Sequence, residues 1–280
     1  MEPKIFQNKS FLLEPKIMVR EMIHDLWNCR HLGWTLAVRD IKAKYRSAWL
    51  GLAWAFLPPI ATTLVFVVLQ NQQMLKSEGM EVPYPIYTMV SIVLWQLFSE
   101  SVVAPLQVVN GSRSLLSKIL FPREALIVSA VVQVCFNFII KLFLLFFVFA
   151  WWGILPTNGI IWLPLVLLAL LALGILFGVL IVPIGVFYQD VIFSLSTVLM
   201  LLMFLTPVGY SIPSEGLLNE ITQWNPMAIL IQCGRELIFT GQSNAFIPML
   251  AVGLITGFGL ALGWVLYRAT FPIAVERFSS

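Results

Sequence analysis

Four basic residues, Arg39, Lys42, Lys44 and Arg46, fall within eight positions, and the chain then turns apolar and aromatic from Trp49 through Val68. Lysine and arginine are retained on the cytoplasmic side of a bilayer, so a cationic run abutting an apolar stretch sets orientation as well as location. The junction predicts a membrane protein with a cytoplasmic N-terminus, and Trp49 and Trp54 entering the bilayer from that side. Composition agrees. Of 280 residues, 59% are hydrophobic and 11% charged, where a soluble domain is roughly half apolar and a quarter charged. The mean hydropathy is +0.90. Such a chain lacks the polar surface to coat a globule, so lipid must be its solvent.

Taken in order, the chain reads as an all-α membrane protein with six transmembrane helices and both termini cytoplasmic. Residues 1–47 form a cytoplasmic region: a loose tail to about residue 20, then an amphipathic helix over 17–38. That helix suits the membrane interface or the protein's own cytoplasmic face equally well. Residues 48–280 form the membrane domain, with spans over about 49–70, 84–109, 125–150, 160–187, 191–210 and 245–267. Pro58-Pro59 must bend or break the first span, which should therefore face protein or a cavity. The fifth is short before Pro207, at roughly 15 residues where a crossing needs about 20. Residues 111–121 read as a short amphipathic cytoplasmic helix ended by Pro122, and 211–244 as a re-entrant or surface hairpin on the outside. Fourteen Lys/Arg fall on the segments so assigned to the cytoplasm and two, Lys76 and Arg235, on the outside, a strong positive-inside bias.

Two charges lie within spans. Glu100 is nine residues from the cytoplasmic end of its span and Lys141 sixteen from the start of the next, a depth gap on the order of 10 Å at about 1.5 Å per residue. That gap argues against a direct salt bridge unless Pro105 bends its helix. Lys141 would then snorkel outward, or both charges would face a water-filled substrate path. Ten Trp, six Tyr and 21 Phe are numerous, and most suit packing or the lipid belt. Aromatic faces also stack on sugar rings without demanding one sugar, and Trp49, Trp54, Phe56, Tyr87, Trp95 and Phe98 cluster in the first two spans as candidate channel walls.

Catalytic and metal chemistry is not written in this chain. No G-x-S-x-G, H-E-x-x-H, D-x-D or phosphate-binding glycine loop occurs, and no metal site is expected. Cys29, Cys135 and Cys233 fall in the cytoplasm, a span and an external loop, which gives no disulfide framework. His24 and His31 stand alone as solvated or interfacial residues. The first 40 residues lack the apolar core of a cleaved signal peptide. A working transporter with no ATP site and no relay of acids needs an external motor.

Several blocks resemble the membrane subunit of bacterial ABC exporters for surface polysaccharides, the permease family of O-antigen, capsule and teichoic acid export. They are Arg39-Asp40-Ile41-Lys42-Ala43-Lys44-Tyr45-Arg46 with Leu50-Gly51-Leu52-Ala53-Trp54; Leu120-Phe121-Pro122-Arg123-Glu124; Tyr188-Gln189-Asp190-Val191; Thr206-Pro207-Val208-Gly209-Tyr210; and Trp224-Asn225-Pro226-Met227 with Arg235. They span nearly the whole chain in family order; Gln189 departs from the arginine common there. The resemblance implies a homodimer with two copies of a cytosolic ATPase subunit, which would bind ATP and magnesium, so that this chain holds no cofactor. It implies an undecaprenyl-linked polysaccharide, O-antigen foremost, as substrate, membrane lipid as surroundings and no nucleic acid.

By the same resemblance, the first, second and fifth spans line the channel, which adds Phe204 and Tyr210 to its walls. Arg113, Leu115, Leu116, Lys118, Ile119 and Leu120 form the coupling helix against the ATPase. Arg39, Lys42, Lys44 and Arg46 flank the lipid head group, and Asn225, Arg235 and Glu236 belong to an outer gate. A drug or lipid exporter subunit is the rival within transport. A membrane glycolipid acyltransferase is the rival from enzymology; it needs an intramembrane or interfacial His, Asp or Glu as base, and both His sit in the N-terminal segment.

Overall fold

Lipid offers no partner for backbone N–H and C=O groups, so an apolar chain of this length closes its hydrogen bonds internally as helices. The computed structural model describes residues 15–46, 49, 51–74, 82–116, 122–188, 190–210 and 216–279. Among these residues there are ten α-helices, two short 3-10 turns and no strand. The expectations for residues 1–14, Lys76, Lys118, Ile119, Leu120 and Gln189 lie outside the described residues.

Five stretches are long and apolar enough to cross a membrane: Gly51–Asn71, Tyr84–Gly111, Glu124–Trp152, Asn158–Phe187 and Phe246–Phe271. Each coincides within a few residues with an expected span. They contain α2 (Leu57–Asn71), α3 (Tyr84–Gly111), α5 (Glu124–Trp152), α6 (Leu163–Phe187) and the apolar part of α10 (Phe246–Ser279). The expected fifth span yields α7, Asp190–Leu205, of 16 residues, about 24 Å at 1.5 Å per residue. The remaining elements are α1 (Pro15–Arg46), α4 (Arg113–Leu116), α8 (Leu217–Trp224) and α9 (Pro226–Phe239).

The prolines expected to break the first span sit at its helical start. A 3-10 turn covers Gly51–Ala55, and α2 begins at Leu57 with Pro58 and Pro59 in its first turn, where a missing N–H leaves no bond unmade.

The second span is the axis of the molecule. In α3, 78% of the most apolar window is buried, against 17% in the first, third and last spans. Glycines let α6 approach it closely. A Cβ on Gly174 would stand 2.3 Å from the Ser101 Cβ, and one on Gly178 would stand 2.6 Å from the Val102 carbonyl oxygen. Small residues four apart make such seams in membranes, where packing rather than water exclusion drives association.

The N-terminal helix is longer than expected and runs from Pro15 to Arg46. It settles on the protein's own α5. Cys29, Leu36 and Ala37 are buried, and a Cβ on Gly33 would stand 2.7 Å from Val128. Its opposite face exposes Trp27 and Trp34, with the Arg30 guanidinium 4.2 Å from the Trp27 ring centre. Indoles that expose an apolar body beside a cation suit a membrane interface.

Candidate functional site

The segment after α7 cannot continue as helix because of Pro207, and its carbonyls need partners from elsewhere. Arg235 and Tyr84 supply them for Pro207 and Gly209, and Asn225 binds the Thr206 hydroxyl. Asn225, one residue before α9, accepts from the Met227 N–H at 2.9 Å as its cap and donates from Nδ2 to Thr206 Oγ1 at 3.0 Å. Arg235 in α9 donates to the Pro207 carbonyl at 2.8 Å and to Ser91 Oγ at 3.3 Å. Tyr84 at the start of α3 donates its hydroxyl to the Gly209 carbonyl at 2.5 Å. Thr206, Pro207, Val208 and Gly209 are all buried. Gly209 is obligatory in this arrangement: a Cβ there would lie 2.2 Å from the Phe66 ring of α2.

Arg235 is 4% exposed. A buried guanidinium is tolerated only when its donors are used. Besides its two hydrogen bonds, its central carbon lies 4.5 Å from the Tyr87 ring centre. The neighbouring Glu236 turns away, accepting from Gln232 Nε2 at 2.7 Å and from Ser243 Oγ at 2.6 Å. The blocks Thr206–Tyr210, Trp224–Met227 and Arg235, separated in sequence, thus meet in one buried latch that joins α2, α3, α7 and α9.

A second polar cluster lies deeper. Lys141 of α5 forms an ion pair with Glu100 Oε1 of α3. Asn137, one turn earlier, donates to Glu100 Oε2 at 3.3 Å and accepts from the Tyr45 hydroxyl at 3.0 Å. Nearer the helix start, Gln133 donates to Asp40 Oδ2 at 3.3 Å and to Ser129 Oγ at 3.2 Å. The pair argued against from span depths is therefore present. The depths assumed level helix ends. Gly111 closes α3 11 residues beyond Glu100, whereas Glu124 opens α5 17 residues before Lys141, so α5 reaches about 9 Å further at 1.5 Å per residue. Sequence carried the signal: Ser129, Gln133, Asn137 and Lys141 recur every fourth position, a polar stripe on one helix face.

A third cluster ties α1, α5 and α10 together. Arg268 pairs with Asp25 at 2.9 Å and with Glu124 at 3.9 Å, and its carbonyl accepts from Arg123 at 3.1 Å. Burial, then the carboxylates of Glu124 and Asp25, push the nearby Cys29 thiol up to about 11.

The remaining expected site residues divide by exposure. Trp49, Trp54 and Phe204 are exposed, whereas Phe56 and Tyr210 are half-buried. Trp95 and Phe98 are packed inside the chain with ring centres 5.5 Å apart, and Tyr87 lies under Arg235. Arg39 pairs with Asp40 at 2.7 Å, while Lys42, Lys44 and Arg46 are exposed. Of the expected coupling helix, α4 is a single described turn. Arg113 donates to Asn110 Oδ1 at 3.0 Å and to the Val186 carbonyl at 3.4 Å. Leu115 is half-buried and Leu116 is buried. Sequence reasoning missed Phe66, Ser91 and Tyr84 because their partners are remote in the chain and nothing local marks them. Among the described residues no group of three His, Cys, Asp or Glu side chains could hold a metal ion.

A family model described as ABC-2 type transporter matches residues 31–239. The O-antigen export system permease protein RfbA of Myxococcus xanthus is 29% identical over 243 residues, 85% of this chain and 92% of that one. Two proteins of the same name from Klebsiella pneumoniae are each 23% identical, one over 74% of this chain and 79% of its own length, the other over 80% and 85%.

Proposed function

The chain belongs to the ABC-2 type transporter family and is a multi-pass protein of the cytoplasmic membrane, and from that premise we propose that it is the channel-forming subunit of an ATP-driven exporter of lipid-linked polysaccharide, O-antigen foremost. The observation that carries the reading is the match to O-antigen export permeases over most of both chains. In this reading two copies assemble with two cytosolic ATPase subunits that bind ATP and magnesium. The chain itself performs no hydrolysis.

The exposed faces support a passage between copies. Leu64, Val65 and Val68 of α2 and Val198, Leu201 and Phe204 of α7 are exposed, and Phe66 meets Phe204 with ring centres 6.3 Å apart. We assign this face, with Trp49 and Trp54 at its cytoplasmic end, to the channel wall. Trp95 and Phe98 serve packing behind it. α7 with residues 206–210 is the short fifth crossing, which makes six in all, and α8 with α9 is a hairpin dipping in from outside, locked by Arg235. Residues 111–121 receive the push of the ATPase, and the basic run at Arg39–Arg46 meets the lipid head group.

Deleting the gene in its own host should remove polysaccharide from the surface and leave lipid-linked polymer inside. Trp54→Ala should lower export while an ATPase still co-purifies with the chain. Surface polysaccharide that is unchanged in the deletion strain refutes the reading.

A further inference from the structure

An open groove of about 580 Å³ lies where α7 ends, walled by Leu202 and Leu205 on one side and by Glu220, Gln223, Trp224 and Asn225 on the other. Glu220, Gln223 and Trp224 stand at i, i+3 and i+4 of α8, so they share one helix face. Thr222 is 3% exposed on the opposite side, whereas Trp224 leaves 88% of its surface free. A large indole held out beside a concavity is an unspent contact, since aromatic side chains dominate binding energetics where they are buried.

The backbone beneath that indole is fixed. Asn225 caps α9, donates to Thr206, and its N–H reaches the Thr222 carbonyl at 3.2 Å. Trp224 is thereby presented by the same buried latch that closes the end of α7. Beside it, Gln223 spends its Nε2 on Asn219 Oδ1 at 3.2 Å and keeps its carbonyl oxygen as an acceptor. The exposed Glu220 adds two more acceptor oxygens.

We propose that this face of α8 is a saccharide-holding subsite: Trp224 stacks on the C–H face of a pyranose, while Glu220 and Gln223 accept from its hydroxyls. A flat apolar platform next to acceptors matches a ring that is apolar on its faces and hydroxylated around its rim. An open groove rather than a closed cavity fits a polymer that passes rather than a monomer that is trapped. The proposal rests on the export reading and says where the polymer is held as it leaves the membrane. The competing role for an exposed tryptophan is an interfacial anchor, which involves neither Glu220 nor a soluble glycan.

The test uses the full chain in nanodiscs, with polysaccharide released from the host's own surface by mild acid as the probe. Saturation-transfer difference NMR should detect transfer to sugar ring protons with the wild type. Trp224→Ala should weaken the interaction by about tenfold, the scale of one aromatic stacking contact, and Trp224→Phe should retain most of it. Glu220→Gln should weaken it about two- to threefold, as loss of one exposed acceptor does. Wild-type signal in Trp224→Ala, or none in the wild type, overturns the subsite. The deletion strain separates the two ideas: if it loses surface polysaccharide and the wild-type gene restores it, a failed binding experiment removes the subsite alone and leaves the export reading standing.

Discussion

Replacing Arg235 with methionine tests the latch directly. The side chain keeps an unbranched apolar stem and loses the planar cation at its end. The Pro207 carbonyl then loses its 2.8 Å donor, Ser91 Oγ its 3.3 Å donor, and the Tyr87 ring the guanidinium at 4.5 Å. A hydrogen bond from a charged donor is worth about 1.5–3 kcal/mol, and the bond to Pro207 is of that kind. A desolvated cation–π contact adds up to about 2 kcal/mol. Against these stands the relief of no longer burying a charge, which offsets part of the loss. The balance is about 2–4 kcal/mol, held locally in residues 206–210 and α9 rather than spread over the bundle.

Because about 1.4 kcal/mol is a factor of ten, amide exchange in a peptide covering 202–210 should accelerate by roughly 30- to 1,000-fold in Arg235→Met. Peptides within α5 should stay unchanged. Hydrogen–deuterium exchange with mass spectrometry on the protein in nanodiscs reads both. Arg235→Lys should fall between, since an ammonium keeps the charge without the planar fork. Equal protection of 202–210 in the wild type and Arg235→Met would refute the argument that this guanidinium holds the segment.

Three other perturbations probe the remaining contacts. Lys141→Met strips Glu100 of its ion pair and should cost about 2–4 kcal/mol, below the range for a fully buried pair because the Glu100 side chain is 34% exposed. Adding Glu100→Gln should recover a substantial part of the lost melting temperature, and a double mutant no more stable than Lys141→Met would contradict the pairing. Gly174→Ala and Gly178→Ala force Cβ atoms into α3 and should each destabilise by about 1–3 kcal/mol; unchanged thermal stability in both would show that the seam is loose. With its pKa raised to about 11 by burial and then by two carboxylates, Cys29 is about one-thousandth thiolate at pH 8. Its alkylation in detergent should therefore be slow and rise about tenfold per pH unit up to pH 10, and Glu124→Gln should speed it by removing one anion. A rate independent of pH over that range would overturn this assignment.

What the sequence made legible and what it hid divide along one physical line. A bilayer fixes helix length and orientation by hydrophobicity, which is a local property, so Tyr84–Gly111 and Glu124–Trp152 could be bounded from the run of residues alone. Lateral packing is not local. Lipid tails are as apolar as leucine, so a face turned to lipid and a face turned to a neighbour carry the same residues. Trp95 and Trp54 look alike in sequence; one is buried in α3 and the other is half exposed before α2. Relative height was equally hidden, because Glu100 and Lys141 pair only once α5 is known to overhang α3. Besides small residues four apart, the lateral signal a membrane leaves in sequence is polarity with a helical period, because a polar group in hydrocarbon must find a partner. Asn137 and Lys141 carried that signal one turn apart, and both partners proved to be other helices of the same chain.

That asymmetry bears on how the molecule moves. The polar contacts of α3 go to α5, α9 and the end of α7, so α3 is bonded on several sides at both depths. α2 packs chiefly on α3 and, through Phe66, against Gly209 and Phe204, and α7 leaves most of its surface exposed. An exporter must change shape somewhere, and such motions are drawn from the least-bonded elements. The most densely bonded part is α3 with α5, α6 and α9. α2 and α7 are among the least buried helices beside it, so a change of shape falls to them first.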